Sequence, residues 1–372
     1  MKPIREKIEQ TYGQGLENLI IGETSIAKID GENGKLWYRG YDIEDLAEYS
    51  SYDEVSYLII HGELPTPSQY EKWIEQIRSW EEPPLESRIV LRSLPGDAHA
   101  FMLYRTMLSI ASCHIPEGEN TRIDAQWRRP SRLFSWSSSL AAAAICHILS
   151  LQYEPANRAD SYASNFLSRS LNRDLTELEA KAIDVCMIVQ AEHGCQASTL
   201  AAITVISTGA DLGSAVIAGT GALSGKLHGG AIQQSFINLL DLDTVEHAKE
   251  WVDKKIEEGY RFPGFGHRIY KTHDPRAKII ENYAERLLTE KGNKLLWDKY
   301  MAVRDRIESQ LGKRGIFVNI FGVTGLVYHA IRLPIGSFPI VFALATQCGW
   351  MAHCLEYLSE GKMIEPGAIY IG

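Results

Sequence analysis

From Ile43 to the C-terminus, apolar residues recur at helical spacing in one segment after another, with glycine, proline, asparagine and serine marking the breaks. Nowhere do short alternating runs take turns with helical ones, so the pattern argues against a parallel βαβ architecture. Asp42 can cap a helix through Leu46 and Ala47. Ser51 or Asp53 can cap a second through Val55, Leu58 and Ile59, which His61-Gly62-Glu63-Leu64-Pro65 then stops. Further helices are expected over about 67–80, 97–112, 131–151, 160–170, 176–190, 196–208 and 211–224. Beyond these they are expected over about 231–240, 244–258, 275–290, 293–311, 323–331 and 337–359. The clearest strand signal lies before them. Ile26-Ala27-Lys28-Ile29 and Lys35-Leu36-Trp37-Tyr38 flank Asp30-Gly31-Glu32-Asn33-Gly34, which reads as a β-hairpin. The fold class is all-α, with this small N-terminal hairpin.

A length of 372 residues allows two or three domains. The net charge of −9 argues against a nucleic-acid partner, which needs a basic face. The cysteines, Cys113, Cys146, Cys186, Cys195, Cys348 and Cys354, form no CxxC pair and sit mostly in apolar helical stretches. They read as buried free thiols rather than disulfides or metal ligands. Residues Met1 to Lys7 are charged and carry no apolar leader. The small-residue stretch from Leu140 to Leu149 is too short to span a bilayer. No membrane partner is expected, and the cytoplasm is the default compartment.

Glycines beside a histidine let backbone come close to a ligand while an imidazole offers its N–H or lone pair. The chain has this arrangement at Leu227-His228-Gly229-Gly230 and again at Gly264-Phe265-Gly266-His267, the second followed by Asp274-Pro275-Arg276. Neither stretch matches GxxxxGK[ST] or follows a strand, so neither is a P-loop.

These segments closely resemble the citrate and 2-methylcitrate synthases. The resemblance extends through Tyr38-Arg39-Gly40-Tyr41-Asp42 and Leu94-Pro95 upstream, and through Gly325-Leu326-Val327-Tyr328-His329 and Gly349-Trp350 downstream. It implies a helical homodimer. A large domain would span residues 1–229 and 333–372, a small domain residues 230–332, with the active site in the cleft between them. In such enzymes a carboxylate takes a proton from the acetyl-CoA methyl group, and the enol attacks the ketone of oxaloacetate. His228 would match the histidine on the thioester side and His267 the one on the ketone side. His193 and Ser198 would line the ketoacid pocket, and Arg276 would hold a substrate carboxylate as a bidentate pair. Lys271 and Arg268 fall where basic residues meet the CoA phosphates. A CoA thioester is thus the expected co-substrate, with no permanently bound cofactor and no metal.

The pattern breaks at the base. The family segment Asn-Val-Asp-Phe-Tyr-Ser-Gly is here Asn319-Ile320-Phe321-Gly322-Val323-Thr324-Gly325, which puts Phe321 at the aspartate position. No Asp or Glu lies between Glu308 and Glu356. Thr346 and Glu365 stand where the family has two substrate arginines, the second contributed across the dimer, and Gln196 replaces an asparagine. Losing a general base costs roughly 10²–10⁴-fold even in an otherwise intact site. Three readings follow. The site has been re-tasked toward another 2-oxo acid, with carbon–carbon or CoA-thioester chemistry in which Cys195 or His193 could serve as base. Or the chain is a non-catalytic member that binds a metabolite or pairs with an active paralogue. Or it retains weak citrate or 2-methylcitrate synthase activity.

Overall fold

The computed structural model describes residues 14–16, 19–115, 129–154, 161–367 and 370. Its one sheet is antiparallel and three-stranded, in the order β1 (Ala27–Asp30), β2 (Lys35–Tyr38), β3 (Tyr41–Asp42). Ala27 pairs with Tyr38 and Asp30 with Lys35, which confirms the hairpin. The short third strand was not expected. It pairs Tyr38 with Tyr41, which the left-handed pair Arg39 and Gly40 makes possible.

The rest is helical among the described residues. The helices are α1 (Ile43–Tyr49), α2 (Tyr52–His61), α3 (Pro67–Ser79), α4 (Leu85–Ser93), α5 (Ala100–Ser112) and α6 (Arg129–Leu149). They continue as α7 (Tyr162–Leu171), α8 (Glu177–Gln190), α9 (Ala197–Ser207), α10 (Leu212–Leu223) and α11 (Gly230–Leu240). The series ends with α12 (Val245–Glu257), α13 (Pro275–Glu290), α14 (Lys294–Leu311), α15 (Ile320–Ala330) and α16 (Phe338–Glu360). Caps place several of these. Asp42 accepts from the Glu44 amide, and Ser51 and Glu54 form a capping box, as do Thr176 and Glu179.

Helix α5 starts at Ala100 rather than 97, and two further differences from expectation have a local cause. Helix α4 was missed because Pro83-Pro84 precedes it, no side chain caps it, and its apolar residues split between faces. Leu91 is buried while Leu85 and Ile89 are exposed. Helix α15 starts three residues earlier than expected because Asn319 caps it, its Oδ1 accepting from the Phe321 amide at 2.9 Å. Phe321 therefore belongs to a first helical turn.

Helix α16 runs through the core. By length and composition it is apolar enough to cross a membrane, yet 89% of its apolar window is buried against the rest of the chain. It packs on α2, α8, α9 and α10. Tyr52, whose hydroxyl donates to the Ala345 carbonyl at 2.8 Å, ties it to the N-terminal half. Phe342, Thr346, Gly349 and His353 recur on it at helical spacing and share a face. Four of the six cysteines are buried, Cys113 and Cys195 are exposed, and all six are free.

Candidate active site

Four pieces of chain meet at that face of α16: the turn 191–196 with the start of α9, the glycine turn before α11, the loop 263–274, and the first turn of α15. The loop is held from two sides. Lys271 N donates to the Gly31 carbonyl at 2.9 Å, docking the loop on the hairpin turn. On the other side, Gly266 N donates to the Phe317 carbonyl at 2.8 Å, Asn319 N to the Gly264 carbonyl at 2.9 Å, and Asn319 Nδ2 to the Gly266 carbonyl at 2.7 Å. Gly264 has φ +84°, and a Cβ there would lie 2.5 Å from the Gly322 Cα, so the two backbones touch where neither has a side chain.

His193, His267 and Tyr270 form a compact cluster. The two imidazoles lie 5.0 Å apart edge-on, and Tyr270 lies 4.7 Å from His267 and 5.4 Å from His193. His193 Nε2 is 3.1 Å from the Tyr270 hydroxyl. His267 Nδ1 accepts from the amides of Ile269 (3.0 Å) and Tyr270 (3.2 Å), so its proton resides on Nε2. Burial, reinforced by the nearby Arg276 charge, lowers the His267 pKa to about 4 and pushes that of His193 well below the usual value. Both are neutral imidazoles at pH 7.

Arg276 is buried with Asp274. Its Nε donates to Asp274 Oδ1 at 2.9 Å and its Nη2 to Oδ2 at 2.8 Å, while Ile320 N also donates to Oδ2 at 3.1 Å. One edge of the guanidinium is thus occupied, which leaves the Nη1 side of the fork for a carboxylate. Burial works against the Arg276 charge, but the Asp274 carboxylate more than restores it and raises the pKa further.

His228 stands on the thioester side of the expected arrangement. Its Nε2 is 2.8 Å from Ser198 Oγ, which accepts from the Trp350 indole N–H at 3.2 Å. With the indole donating in, the hydroxyl donates on to Nε2, and the His228 proton sits on Nδ1. Burial lowers its pKa to about 4. The Phe342 ring packs edge-on to His228 at 5.8 Å and to Phe321 at 5.2 Å. Where a base is expected there is an aromatic wall.

The remaining expected residues are placed unequally. Thr346 is buried on the face of α16 that carries Phe342, one turn away. Gln196 is the N-cap residue of α9 and makes no side-chain cap bond. Lys271 is exposed and donates to the Arg268 carbonyl at 3.1 Å, so it and Arg268 form a basic rim on the loop. Glu365 lies exposed in the extended segment after α16, and no hydrogen bond or ion pair joins it to the cluster among the described residues. Cys195 fits poorly as a base. Although the residue is exposed, the protein packed around its thiol desolvates it and, with the nearby Glu192, pushes it up to about 11; it lines a separate cavity with His353 and Glu356. His193 is too weakly basic for the same task. Tyr270, Phe342 and Trp350 were not singled out from the sequence, because only distances between remote segments give them partners. Among the described residues, no group of three His, Cys, Asp or Glu could hold a metal.

The family model described as the citrate synthase C-terminal domain matches residues 15–367. The chain belongs to the citrate synthase family. The citrate synthase of Synechocystis is 33% identical over 367 residues, covering 98% of this chain and 91% of that one. That of Saccharolobus solfataricus is 33% identical over 379 residues, covering 96% of each. Among solved structures, the citrate synthase of Pyrobaculum aerophilum superposes with TM-score 0.91 at 32% identity, covering 96% of this chain and 92% of that one. The Thermoplasma acidophilum citrate synthase, solved with carboxymethyl-CoA and oxaloacetate, superposes with TM-score 0.92 at 30% identity, covering 96% and 95%. Citrate synthase family membership thus fixes the fold and the general class, a carbon–carbon bond-forming acyltransferase-type enzyme.

Proposed function

We propose that this chain is a re-tasked member of the family, which joins or cleaves a CoA thioester and a 2-oxo acid other than oxaloacetate. The observation that supports this reading is the Phe321 ring, packed at 5.2 Å on Phe342, at the position to which the sequence resemblance assigns the family's carboxylate. In this reading the cleft lies between a large domain, residues 1–229 and 333–372, and a small domain, residues 230–332, of a cytoplasmic homodimer.

The parts that remain suit both reacting carbonyls. His228, donating through Nδ1, would bind the thioester oxygen as negative charge grows on it. His267, donating through Nε2, would polarise the ketone. Both imidazoles are neutral, so they act as hydrogen-bond donors rather than as acids. Arg276 would hold the carboxylate next to the ketone by the edge that Asp274 leaves open, with Lys271 and Arg268 on the CoA side. The far end of the 2-oxo acid meets Thr346, a buried hydroxyl without charge, and Glu365 of a second subunit. The Arg276 charge is already matched by Asp274. A second substrate carboxylate would therefore be desolvated without a counter-ion, which a buried site strongly disfavours. This points to a monocarboxylic 2-oxo acid.

The test crosses CoA thioesters with oxaloacetate and with a panel of monocarboxylic 2-oxo acids, following both thiol release and the masses of CoA products. Phe321→Asp, Thr346→Arg and Glu365→Arg are run singly and together. The expected result is no citrate from acetyl-CoA and oxaloacetate, product from one monocarboxylic partner, and citrate only in the triple variant. Citrate formation by the unmodified protein at roughly 1 s⁻¹ or more, the ordinary range of enzymes, would refute the proposal.

A further inference from the structure

We infer that the acyl substrate of this cleft carries a carboxylate on its α carbon, as a malonyl-type CoA thioester does, and that the carbon nucleophile forms by loss of CO₂ rather than by loss of a proton. The inference rests on the condensation reading above and names its acyl partner.

Deprotonating a carbon beside a thioester requires a base within hydrogen-bond reach. Among the described residues, those around the two histidines offer none that is free, and Glu365 would stand at the far end of the 2-oxo acid rather than beside the acyl carbon. No Asp or Glu occurs between Glu308 and Glu356. The two carboxylates buried beside the histidines are occupied. Glu192 accepts from His353 Nε2 at 3.0 Å and from the Gly194 amide, and Asp274 accepts from Arg276 and Ile320. The lone pair of His267 Nδ1 is used by two amides, and that of His228 Nε2 by the Ser198 hydroxyl. His193 Nε2 faces Tyr270. Decarboxylation needs a different set of groups, and those are present. The electron pair left behind must be received by the thioester oxygen, which the His228 N–H can hold. The departing carboxylate must lose its hydration, and the Phe321–Phe342 wall beside His228 supplies no charge or donor to replace it. An ionised carboxylate is costly against such a surface, whereas CO₂ is neutral and apolar.

The step balances without an added base. The bond between the α carbon and its carboxylate breaks, CO₂ leaves, and the pair moves to the thioester carbonyl as an enolate. The enolate carbon forms the new bond to the ketone carbon of the 2-oxo acid. The ketone π pair becomes an alkoxide held by His267 Nε2–H, which takes up one proton from solvent. One CO₂ leaves, one proton enters, and CoA remains esterified.

The experiment uses malonyl-CoA and methylmalonyl-CoA labelled with ¹⁴C in the free carboxylate, each incubated with the wild-type protein and the panel of monocarboxylic 2-oxo acids. Acetyl-CoA and propionyl-CoA are run in parallel, CO₂ is trapped, and CoA products are weighed by mass spectrometry. Labelled CO₂ that appears only with a particular 2-oxo acid, together with a CoA ester of summed mass less CO₂, supports the inference. So does a rate at least a hundredfold above that with acetyl-CoA. Phe321→Asp, which sets a charge opposite the departing carboxylate, is expected to lower CO₂ release at least tenfold. Condensation of acetyl-CoA at a comparable rate would overturn the inference and leave the condensation reading standing. No CO₂ from any pair overturns the inference. If calorimetry also detects no binding of any CoA thioester, the condensation reading falls with it.

Discussion

Replacing Arg276 by methionine keeps most of its stem and removes its charge. Asp274 then retains the amides of Arg276 (3.1 Å) and Ile320 (3.1 Å) but loses both guanidinium bonds, while its carboxylate stays 2% exposed. Breaking a buried pair from one side typically costs about 3–5 kcal/mol, because the surviving charge is stranded. Out of the ~5–15 kcal/mol typical of a folded domain, that is a large loss. Asp274→Asn in the same background neutralises the stranded group while keeping an oxygen for the cap. The double variant is therefore expected to recover at least ~2 kcal/mol relative to the sum of the single changes, which is the coupling expected of directly paired groups. Urea unfolding followed by circular dichroism gives the four free energies. Binding of a monocarboxylic 2-oxo acid should fall about 10–100-fold in Arg276→Met, and should not return in the double variant, since a charged hydrogen bond is worth ~1.5–3 kcal/mol. If Arg276→Met costs under ~1 kcal/mol and the two changes add, the pair is not desolvated. The charge-balance argument against dicarboxylates would then fail as well.

Three further outcomes follow from the same kind of reasoning. Gly264→Ala combines a left-handed φ of +84° with a Cβ placed 2.5 Å from the Gly322 backbone. A loss of about 2–5 kcal/mol in urea unfolding is expected from strain plus overpacking, and a loss below ~1 would mean the loops are not in contact. Asp53 and Asp184 are buried, and burial raises their pKa values to about 7 and about 6, the neighbouring Asp184 adding to the effect at Asp53. Because these folded values lie above the unfolded ones, stability is lost as pH rises from about 4 to 7. Asp53→Asn should therefore leave Tm nearly unchanged at pH 4 and raise it at pH 8, and equal effects at both pH values would refute the assignment. His353 behaves in the opposite chemical sense: burial opposes its charge, but Glu192, with Glu356 behind it, raises its pKa above 6.5. Its contribution is complete below the unfolded pKa and is lost as pH rises through the folded one, so a Tm profile that declines above neutrality in wild type should flatten in His353→Gln.

Much of the scaffold was legible in the sequence because helices announce themselves locally. Asp42, Ser51, Thr176 and Asp274 cap helices at the positions their residue types suggest. Where the local signal fails, so does the reading. Pro84 caps α4 with no side chain, and the cap role of Asn319 was missed because the helix after it was expected to start only at about 323. The histidines and Arg276 could be singled out because glycines and a proline flank them at fixed offsets. The partners that fix their chemistry could not. The tautomer of His228 depends on Trp350, 122 residues away in sequence, acting through Ser198. The turn carrying His193 is gripped by Glu192, which is held in place by His353, 161 residues away. Such contacts are made by tertiary packing, and no periodicity encodes them.

The altered positions gain meaning from what surrounds them. A carboxylate lost to drift would leave a hole or a polar residue in contact with water. Phe321 instead packs against Phe342, which in turn packs against a histidine kept neutral and oriented by a serine and an indole. Beside it, Gly322 lets the His267 loop lie directly on the helix backbone. Under the proposed function, His228 and His267 would hold two carbonyl oxygens, while an aromatic surface would stand in place of the group that pulls off a proton. On the proposed reading, an enzyme arranged this way would stabilise an enolate without generating one from an unactivated acyl group. Its substrate must bring the means of forming the nucleophile, and that requirement links the aromatic wall to the choice of thioester.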